Sequence, residues 1–476
     1  MLDTRAKIVC TLGPSSSDEG TISRMIEAGM NVARLNFSHG NHEEHARTIE
    51  TLRGASLKLG RPVGILLDLQ GPKIRVGRFI GGHALLEPGS AFTITGREVE
   101  GNGDIVSSTH TGLARDVSPG DRILLDDGLI TLKVLGTEGL DVRCEVVDGG
   151  VLKNNKGINI PEAVVSVETI TEKDLTDAKF GVDQGVDFIA MSFVRHPDDI
   201  QAMRGHLAGW GAEGMPIISK IEKPQALDHI VAIISGSDAV MVARGDLGVE
   251  MSPEQVPGIQ KRLIAECNRM GKAVITATQM LESMVTHPRP TRAEASDVAN
   301  AILDGSDAVM LSAESASGKH PVETVEVMKR IIHATESTHR AHDPTRRRRS
   351  DGGELAVHEG IAITACTLAE SVDAGAIASI TLTGSMSRAI AKHRPAKAIF
   401  AVSQFEQVVR RLSVVWGVEG LLMPDLTMDI DEAVVEVKKQ LVDSGRLVRG
   451  GSVVLTAGLP FAERKATNMV RVDVVE

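Results

Sequence analysis

The sequence lacks features that several classes of protein require. Tyrosine is absent and aromatic residues make up only 2% of the chain, so few side chains are suited to stacking on nucleic-acid bases. No apolar run reaches the roughly 18 residues that a membrane-spanning helix needs. The first residues show no charged segment followed by an apolar segment and a cleavage site. We therefore expect no nucleic-acid partner, no membrane association and no secretory signal.

Closely spaced cysteine pairs are also absent. The four cysteines, Cys10, Cys144, Cys267 and Cys366, lie far apart, and none belongs to a C-x-x-C motif. This spacing disfavours a disulfide framework and a structural zinc site, and it favours a reducing, cytoplasmic location. The 63 acidic residues outnumber the 52 basic ones, and the net charge of −11 again disfavours binding to a phosphate backbone.

The length of 476 residues is enough for roughly two to four domains. Apolar runs rich in Val, Ile and Leu recur without polar alternation, which is typical of strands buried on both faces of a parallel sheet. Helix-length segments such as Asp18–Ala28, Glu43–Leu59 and Pro257–Met270 lie between them. The pattern predicts an α/β fold with a (β/α)8 TIM barrel, and an open doubly wound sheet is the alternative. The apolar runs cover residues 7–13, 31–38, 62–69, 187–193, 216–222, 238–244, 273–278 and 307–312.

A short internal repeat supports the barrel. The segments GVDFIAM, GSDAVMV and GSDAVML begin at Gly185, Gly236 and Gly305, and each reads as a turn that leads into a strand. A Gly-x-Asp turn before a buried strand is, however, common in any α/β protein.

Two segments interrupt the alternation of strands and helices. Residues 70–168 show short alternating runs with Gly-rich turns and no helical period, which predicts an inserted β-barrel lid domain. The sequence TEKD at 171–174 then resembles a helix-capping signal. Residues 339–354 are basic and polar, which predicts a linker, and residues 355–476 alternate again as a C-terminal α/β domain. The barrel is thus expected in two parts, 1–69 and 169–338.

Polar residues cluster at the carboxyl ends of the predicted strands, where barrels place their active sites. Glu222 and Asp246 come from adjacent strands and suit Mg²⁺ or Mn²⁺, while Arg34, Arg75 and Lys220 offer cationic donors for phosphate or carboxylate oxygens. Together they indicate phosphoryl transfer. The alternative is structural, with Lys220 and Glu222 as a salt bridge at the rim and Asp246 as a helix cap. The strand-end residues are Arg34, Asn36, Ser38, His39, Asp68, Lys73, Arg75, Lys220, Glu222, Arg244, Asp246, Thr278, Ser312 and Glu314.

Three further motifs have both a functional and a structural interpretation. Gly245, in ARGDLG, permits close backbone approach to an anion but is equally a turn glycine. His39, His42 and His45 have a spacing that could indicate a metal site, but a solvated helix start explains them better. The four arginines at 346–349 are expected to be a solvated stretch of an acidic chain.

At the level of whole motifs the chain resembles the pyruvate kinase family. The resemblance covers the first two-thirds of the chain, is most specific at 288–315, and is weaker in the C-terminal third. It implies transfer of the phosphoryl group of phosphoenolpyruvate to ADP, giving pyruvate and ATP in glycolysis. The motifs, in chain order, are KIVCTLGPSS, NVARLNFSHG, DLQGPKIRVG, KGINIP, SKIEKPQAL, VARGDLGVE, ATQMLESM, the run from PRPTRAEASD to AVMLSAES, and GKHPVETV.

The resemblance also implies roles for individual residues. Lys220 would stabilise the phosphoryl group in flight, Arg34 would bind the substrate phosphate, and Glu222 with Asp246 would hold the divalent metal. The substrate carboxylate would lie against Ala243, Arg244, Gly245, Asp246 and Thr278. The nucleotide would contact Asn36, Phe37, Ser38, His39, Arg75 and Lys156. Thr278, Ser312 and Glu314 are alternative groups for delivering a proton to the enolate.

One departure from the family concerns potassium. The family's monovalent-cation site matches Asn36, Ser38, Asp68 and the carbonyl of Leu69, and potassium-dependent members carry Glu inside the GPxIR motif. Here that position is Lys73, whose ammonium group could supply the positive charge. We expect weak or absent dependence on K⁺.

A second departure lies in the C-terminal domain. The run TLTGSMSRAIAKHRP resembles the family's pocket for a phosphorylated effector, with Thr381, Thr383, Gly384 and Ser385 as donors, but Met386 stands where a hydroxyl residue is common. Family members are usually homotetramers, so one is expected. The competing functions are a metal-dependent aldolase or lyase acting on pyruvate enolate and a catalytically silent metabolite-binding regulator.

Overall fold

The computed structural model describes residues 4–161, 163, 166–338, 356–427, 429–460 and 466–475. Its central unit is a closed barrel of eight parallel strands that neighbour one another in chain order. This confirms the TIM barrel, and the open-sheet alternative is wrong. The barrel strands are β1 (Lys7–Leu12), β2 (Val32–Asn36), β3 (Gly64–Asp68), β12 (Phe188–Met191), β13 (Ile217–Ile221), β14 (Ala239–Ala243), β15 (Ala273–Ala277) and β16 (Ala308–Leu311).

Successive residues of each barrel strand serve two cores. Ile8 and Cys10 of β1 pack in the layer between strands and helices, whereas Val9 packs inside the barrel. Both sides of the strand are therefore apolar, which explains the absence of polar alternation in the sequence. The helices of this unit are α1 (Glu19–Ala28), α2 (His42–Leu59), α4 (Glu172–Asp183), α5 (Pro197–Gly209), α6 (Ile230–Gly236), α7 (Arg244–Glu250), α8 (Val256–Met270), α9 (Arg292–Asp304), α10 (Ala313–Ala316) and α11 (Pro321–Thr338).

Local capping signals place the helix starts. Thr171 and Asp174 form a reciprocal capping box at the start of α4, as the TEKD motif predicts. Asn41 and Glu44 form a second capping box, so that α2 begins at His42. The side chain of Asp18 caps α1 by accepting a hydrogen bond from the backbone of Thr21.

The segment after β3 leaves the barrel and forms a separate β layer around its own apolar core, which includes Phe92 and Leu132. Its strands form a six-stranded sheet and a two-stranded sheet within the described residues. The boundaries at 69/70 and 168/169 stay predictions. The elements are β4 (His83–Leu86), β5 (Ala91–Thr95), β6 (Ile105–Ser107), α3 (Leu113–Asp116), β7 (Arg122–Leu125), β8 (Ile130–Glu138), β9 (Asp141–Asp148), β10 (Gly150–Lys153) and β11 (Ile158–Asn159).

The C-terminal part is a second α/β unit with a five-stranded sheet among the described residues, in which only the last strand is antiparallel. Its helices at 356–371 and 430–443 coincide with the predicted helical patterns. The predicted linker 339–354, with the arginines 346–349, lies outside the described residues. The elements are α12 (Ala356–Ser371), β17 (Ala376–Ile380), α13 (Ser385–Lys392), β18 (Ala398–Ser403), α14 (Glu406–Arg411), β19 (Val418–Leu422), α15 (Ile430–Asp443), β20 (Ser452–Ala457) and β21 (Met469–Val474).

The aspartates of the Gly-x-Asp repeat fix the amino-terminal end of the barrel. Asp187, Asp238 and Asp307 precede β12, β14 and β16, and each carboxylate accepts a hydrogen bond from a backbone amide of the preceding barrel strand or its first residue. A carboxylate bonded in this way ties neighbouring strands in one register. The donating amides belong to Ile65, Ile217 and Val274, respectively.

None of the helices described here is both long and apolar enough to cross a membrane.

Candidate active site

A buried cluster of charges lies at the carboxyl ends of β2, β3 and β13. Asp68, at the end of β3, accepts a hydrogen bond from Arg34 Nε at 2.6 Å and lies 3.1 Å from Lys220 Nζ. Arg34 also donates to the hydroxyl of Thr11 at 2.9 Å. Both cations are thus held by a carboxylate that is itself almost inaccessible to solvent.

Lys220 is the centre of this cluster. Its ammonium lies 2.9 Å from Glu222 Oε1 and donates to the hydroxyl of Ser192 at 2.7 Å. Burial alone would lower the pKa of Lys220, but Asp68 and Glu222 raise it well above its ordinary value. The side chain is therefore a permanent cation at neutral pH, suited to electrostatic stabilisation and not to proton transfer.

The two predicted metal ligands, Glu222 and Asp246, are near enough to influence each other electrostatically. Burial and the nearby carboxylate of Asp246 raise the pKa of Glu222 despite the attraction of Lys220. The second oxygen of Glu222 accepts a hydrogen bond from the backbone amide of Phe193 at 2.8 Å. Two hard carboxylates that repel each other fit a divalent cation, which would relieve the repulsion. No group of three or more candidate ligands occurs in the described part of the chain, so substrate and water would supply the remaining positions.

Thr278 lies at a strained turn beside the start of α7. Its backbone has φ = +70°, which is unusual for a β-branched residue, and its hydroxyl accepts a hydrogen bond from Gly245 N at 2.7 Å. Arg244 stabilises this turn by donating to the Thr278 carbonyl at 2.7 Å, while its guanidinium pairs with Asp297 at 2.7 Å. The side chain of Arg244 therefore positions Thr278, and its own role in substrate binding stays a prediction.

Glu314 and Ser312 occupy the end of β16. The Glu314 carboxylate is buried and accepts hydrogen bonds from the backbone amides of Leu281 at 3.1 Å and Ser312 at 2.6 Å. It joins the loops after β15 and β16. Within the described residues the Ser312 hydroxyl is buried without a hydrogen-bond partner, so it is the freer of the two groups for proton delivery.

The predicted nucleotide contacts are divided between the barrel and the lid. Lys156 is held on the lid by Asp126 at 2.7 Å, and Arg75 donates to the carbonyl of Asn155 at 3.0 Å. Asn36 accepts a hydrogen bond from the amide of Ser38 at 3.1 Å, which shapes the loop after β2. These contacts hold Lys156 and Arg75 in place on the lid. Among the described residues, neither cation is paired with the charge cluster of the barrel.

The residues of the loop after β2 also explain the histidine motif. Phe37 is buried and stacks on His45 with ring centroids 4.0 Å apart, and His45 contacts the carbonyl of the exposed His39 at 2.9 Å. His42 contacts Asp177 at 2.7 Å and stacks on Phe180. Each histidine has a structural neighbour, and the motif forms no metal site in the described residues.

The predicted monovalent-cation residues are engaged with other groups. The carbonyl of Leu69 accepts a hydrogen bond from the Ser192 hydroxyl at 2.7 Å, and Asp68 holds Arg34 and Lys220. Lys73 lines a cavity between lid and barrel with Asn159, and it forms no ion pair within the described residues. Its replacement of potassium stays a prediction.

A latch between lid and barrel was not anticipated from the sequence. Glu250, at the end of α7, is buried, and its Oε1 atom accepts hydrogen bonds from Lys223 at 2.5 Å and from Asn159 of the lid at 2.6 Å. The latch connects the lid to the helix that carries Asp246. Local sequence patterns cannot predict this contact, because Asn159 and Glu250 are 91 positions apart in the chain.

Ser192, Thr11 and Asp297 are the positioning residues that sequence reasoning missed. Ser192 directly follows β12, so the rule that selects polar residues at strand ends would have found it. Thr11 lies inside β1 and Asp297 inside α9, where nothing in the local pattern marks them.

The predicted effector loop connects β17 with α13. Thr381 accepts a hydrogen bond from the amide of Gly384 at 2.9 Å, and Gly384 has φ = +77°, where a Cβ atom would lie 2.9 Å from Leu412. Thr383 donates to the hydroxyl of Ser385 at 3.2 Å. The loop is compact and turns its hydroxyl groups toward the start of the helix.

Comparisons with known proteins agree on one family. The family model described as pyruvate kinase, barrel domain, matches residues 3–325, and that described as pyruvate kinase, alpha/beta domain, matches residues 359–473. A pyruvate kinase of Geobacillus stearothermophilus is 46% identical over 99% of this chain and 80% of its own length. One of Corynebacterium glutamicum is 44% identical over 100% of this chain and 98% of its own.

A solved structure gives the same result. A crystal structure of a pyruvate kinase from Cryptosporidium parvum matches with a TM-score of 0.93 and 34% identity, over 100% of this chain and 97% of the other. Similarity therefore extends over both α/β units. The chain belongs to the pyruvate kinase family, whose members use a divalent metal ion to transfer the phosphoryl group of phosphoenolpyruvate to ADP.

Proposed function

We propose that the charge cluster around Lys220 carries out this phosphoryl transfer, with Lys220 and Arg34 offsetting the negative charge of the phosphoryl group in flight. One observation supports this most directly: Lys220 is a buried, permanently protonated cation held between Asp68 and Glu222. Fixed charges in a site of low dielectric constant stabilise a transition state without reorganising during the reaction. The arrangement fits a phosphotransferase better than a proton-abstracting lyase.

We propose Mg²⁺, or Mn²⁺, as the divalent ion, with Glu222 and Asp246 as its protein ligands. When bound, the ion would neutralise negative charge on the phosphate. The backbone amide of Phe193 orients the Glu222 carboxylate by donating a hydrogen bond to it. Lys220, which lies beside Glu222, would then be close to the same phosphate group as the ion.

The substrate carboxylate would lie against the backbone of Ala243, Gly245 and Asp246 and the hydroxyl of Thr278. Support comes from the hydrogen bond that Gly245 N donates to Thr278 Oγ1, because it places an amide and a hydroxyl side by side. If a substrate carboxylate replaced this hydrogen bond, both groups could donate to it. Proton delivery to the enolate is proposed for Thr278 or Ser312, with Glu314 fixing the loops that carry them.

The nucleotide would lie between barrel and lid, near Asn36, Phe37, Ser38 and His39, with Arg75 and Lys156 closing from the lid. Closure would exclude water, which would otherwise hydrolyse the phosphoryl donor. The Glu250 latch supports a coupling between lid and active site, because α7 has Asp246 at one end and Glu250 at the other.

Four further assignments are proposals. Family resemblance supports a homotetrameric assembly and a phosphorylated effector at Thr381, Thr383, Gly384 and Ser385. The departure from the family at Lys73 supports independence of K⁺, and the spacing of the cysteines supports a cytoplasmic location. The domain boundaries 1–69, 70–168, 169–338 and 355–476 are proposed on the sequence pattern.

The deciding experiment is an assay of ATP formation from phosphoenolpyruvate and ADP, with pyruvate measured separately. We expect ATP and pyruvate in equal amounts, and loss of both when the divalent ion is chelated. Pyruvate without ATP would support a lyase, and neither product would support a silent regulator.

A further inference from the structure

A cleft lies between the amino-terminal end of the barrel and the C-terminal domain, on the side of the barrel opposite to the active site. Lys272 and Asp307 line it from the barrel, and Arg388, Lys392 and Arg394 line it from the C-terminal domain. Four of these five charged side chains are cations, in a chain whose net charge is −11. Such local enrichment points to an anion.

Two of the four cations are already neutralised. Arg394 lies 3.1 Å from Asp307, and Lys392 lies 2.9 Å from Glu359 of α12. Asp307 also accepts a hydrogen bond from the amide of Trp416, so its carboxylate is shared. These two ion pairs form part of the cleft wall. The other two cations are Lys272 and Arg388.

Lys272 and Arg388 form no ion pair within the described residues. Lys272 Nζ donates to the carbonyl of Ser237 at 2.5 Å, and Arg388 Nη2 donates to the carbonyl of Thr383 at 3.0 Å. A carbonyl satisfies a hydrogen bond but leaves the net charge of a half-buried cation uncompensated.

The surrounding charges increase this imbalance. The carboxylate that attracts both cations is Asp238, which already pairs with Arg204 at 2.9 Å. Burial lowers the pKa of Lys272, and Arg204 and Arg388 lower it further against the attraction of Asp238. The two cations therefore repel each other across the interface of the two units, and an anion between them would relieve the repulsion.

We propose that this cleft binds a phosphate group, either inorganic phosphate or a small phosphate ester, between Lys272 and Arg388. A dianionic phosphate matches a pair of half-buried cations, and a guanidinium presents paired donors to its oxygens. The cleft shares no lining residue with the hydroxyl-rich loop 381–385.

Binding there would join the two units and reach the loop 381–385. Lys272 precedes β15, which ends next to Thr278, and Arg388 lies on α13 and holds the carbonyl of Thr383. A ligand that draws Lys272 and Arg388 together would thus act on both units at once, whether or not the loop has its own effector.

The test is calorimetric binding to the full-length protein of inorganic phosphate, ribose 5-phosphate and adenosine monophosphate at constant ionic strength. We expect at least one probe to bind, and its Kd to rise tenfold or more in Lys272→Gln and in Arg388→Gln. Lys272→Arg, which keeps the charge, should bind within threefold of the parent, and so should Lys439→Gln, whose lysine is exposed and lies in neither site. Thr383→Ala, in the proposed effector loop, is measured in parallel. Equal affinities for the three probes would identify inorganic phosphate as the ligand, and a tighter ester would identify the ester.

Thermal unfolding of each variant checks that the fold is intact. The proposal is overturned if no probe binds the parent protein at concentrations up to about 10 mM. It is also overturned if both glutamine variants bind with a Kd within twofold of that of the parent protein. Loss of binding in Thr383→Ala with retention in Lys272→Gln would move the phosphate to the loop 381–385 and would also overturn it.

Discussion

Asp68 lies 3.1 Å from Lys220, and this contact determines the charge state of the active site. The lysine is buried, so without a carboxylate partner it would tend to lose its proton. Asp68 keeps it charged and also holds Arg34, so one carboxylate orders both cations that we propose to act on the phosphoryl group. A residue that the resemblance assigns to a monovalent-cation site is thus equally an organiser of the catalytic cluster.

Replacing Lys220 should abolish most of the activity. In Lys220→Met we expect kcat for ATP formation to fall by about 10²–10³ or more, because a fixed stabilising charge is removed. The matched control is Lys179→Met on α4, whose lysine pairs with Asp183 on the surface. Retention of a tenth of the parent kcat in Lys220→Met would contradict the assignment.

The variant Asp68→Asn tests whether Asp68 holds Lys220 and Arg34 in place. It should change how the stability of the protein depends on pH. Burial alone would raise the pKa of Asp68, but Lys220 and Arg34 hold it below its ordinary value. The ion pairs therefore contribute stability above the ordinary aspartate pKa, and that stability is lost as the pH falls through the lower pKa of the folded state.

We expect the parent protein to lose thermal stability in acid more steeply than Asp68→Asn, measured as Tm between about pH 2 and pH 5, on either side of the ordinary aspartate pKa. Identical slopes would show that Asp68 does not titrate in this way.

Divalent ions should stabilise the protein through Glu222 and Asp246. The pKa of Glu222 is raised by burial and by Asp246, and the ion competes with the proton on this carboxylate. Stabilisation should therefore increase as the pH rises through the raised pKa, and a concentration of about 100 times Kd should add about 2.7 kcal/mol. Thermal unfolding with Mn²⁺ at pH 5 and pH 7 measures it.

The same measurement on variants identifies the ligands. Glu222→Gln and Asp246→Asn should lose the shift, whereas the exposed Glu254→Gln should keep it. A full shift in both ligand variants would place the ion elsewhere.

Lys73 should make activity independent of K⁺. We expect the parent enzyme to retain most of its kcat when Na⁺ or tetramethylammonium replaces K⁺ in the assay. Lys73→Glu should become dependent on K⁺, because the positive charge would then have to come from the ion. A large loss of parent activity without K⁺ would reject this role.

The latch at Glu250 should contribute to stability and to lid closure. Glu250→Ala leaves the mostly buried Lys223 without its partner, which costs about 3 kcal/mol of unfolding free energy by analogy with broken buried pairs. We also expect KM for ADP to rise more than KM for phosphoenolpyruvate. Denaturant unfolding and steady-state kinetics measure the two effects, and Glu254→Ala is the control. An unchanged KM for ADP would restrict Glu250 to a structural role.

The sequence predicts most of the barrel because each strand is a short run dominated by apolar residues, with polar residues at or near its carboxyl end. Thr171 and Asp174 show the same for a helix start, since a capping box needs only neighbours along the chain. The site residues of β2, β3 and β13 could be chosen because parallel strands bring their carboxyl ends together.

Contacts between distant segments could not be read in this way. The bond from Asn159 to Glu250 joins lid and barrel, and the direction of the Arg244 side chain depends on Asp297 in a later helix. In both cases the deciding partner lies outside the local window of sequence.

The aspartates that precede β12, β14 and β16 stabilise the end of the barrel that lies away from the proposed active site. They set the alignment of the strands at the end remote from Lys220, with the same local solution used three times. Loops at the opposite rim can therefore be exchanged, lengthened or re-specified without disturbing closure. An engineer who wishes to alter substrate choice should graft at the rim and leave these three acids in place.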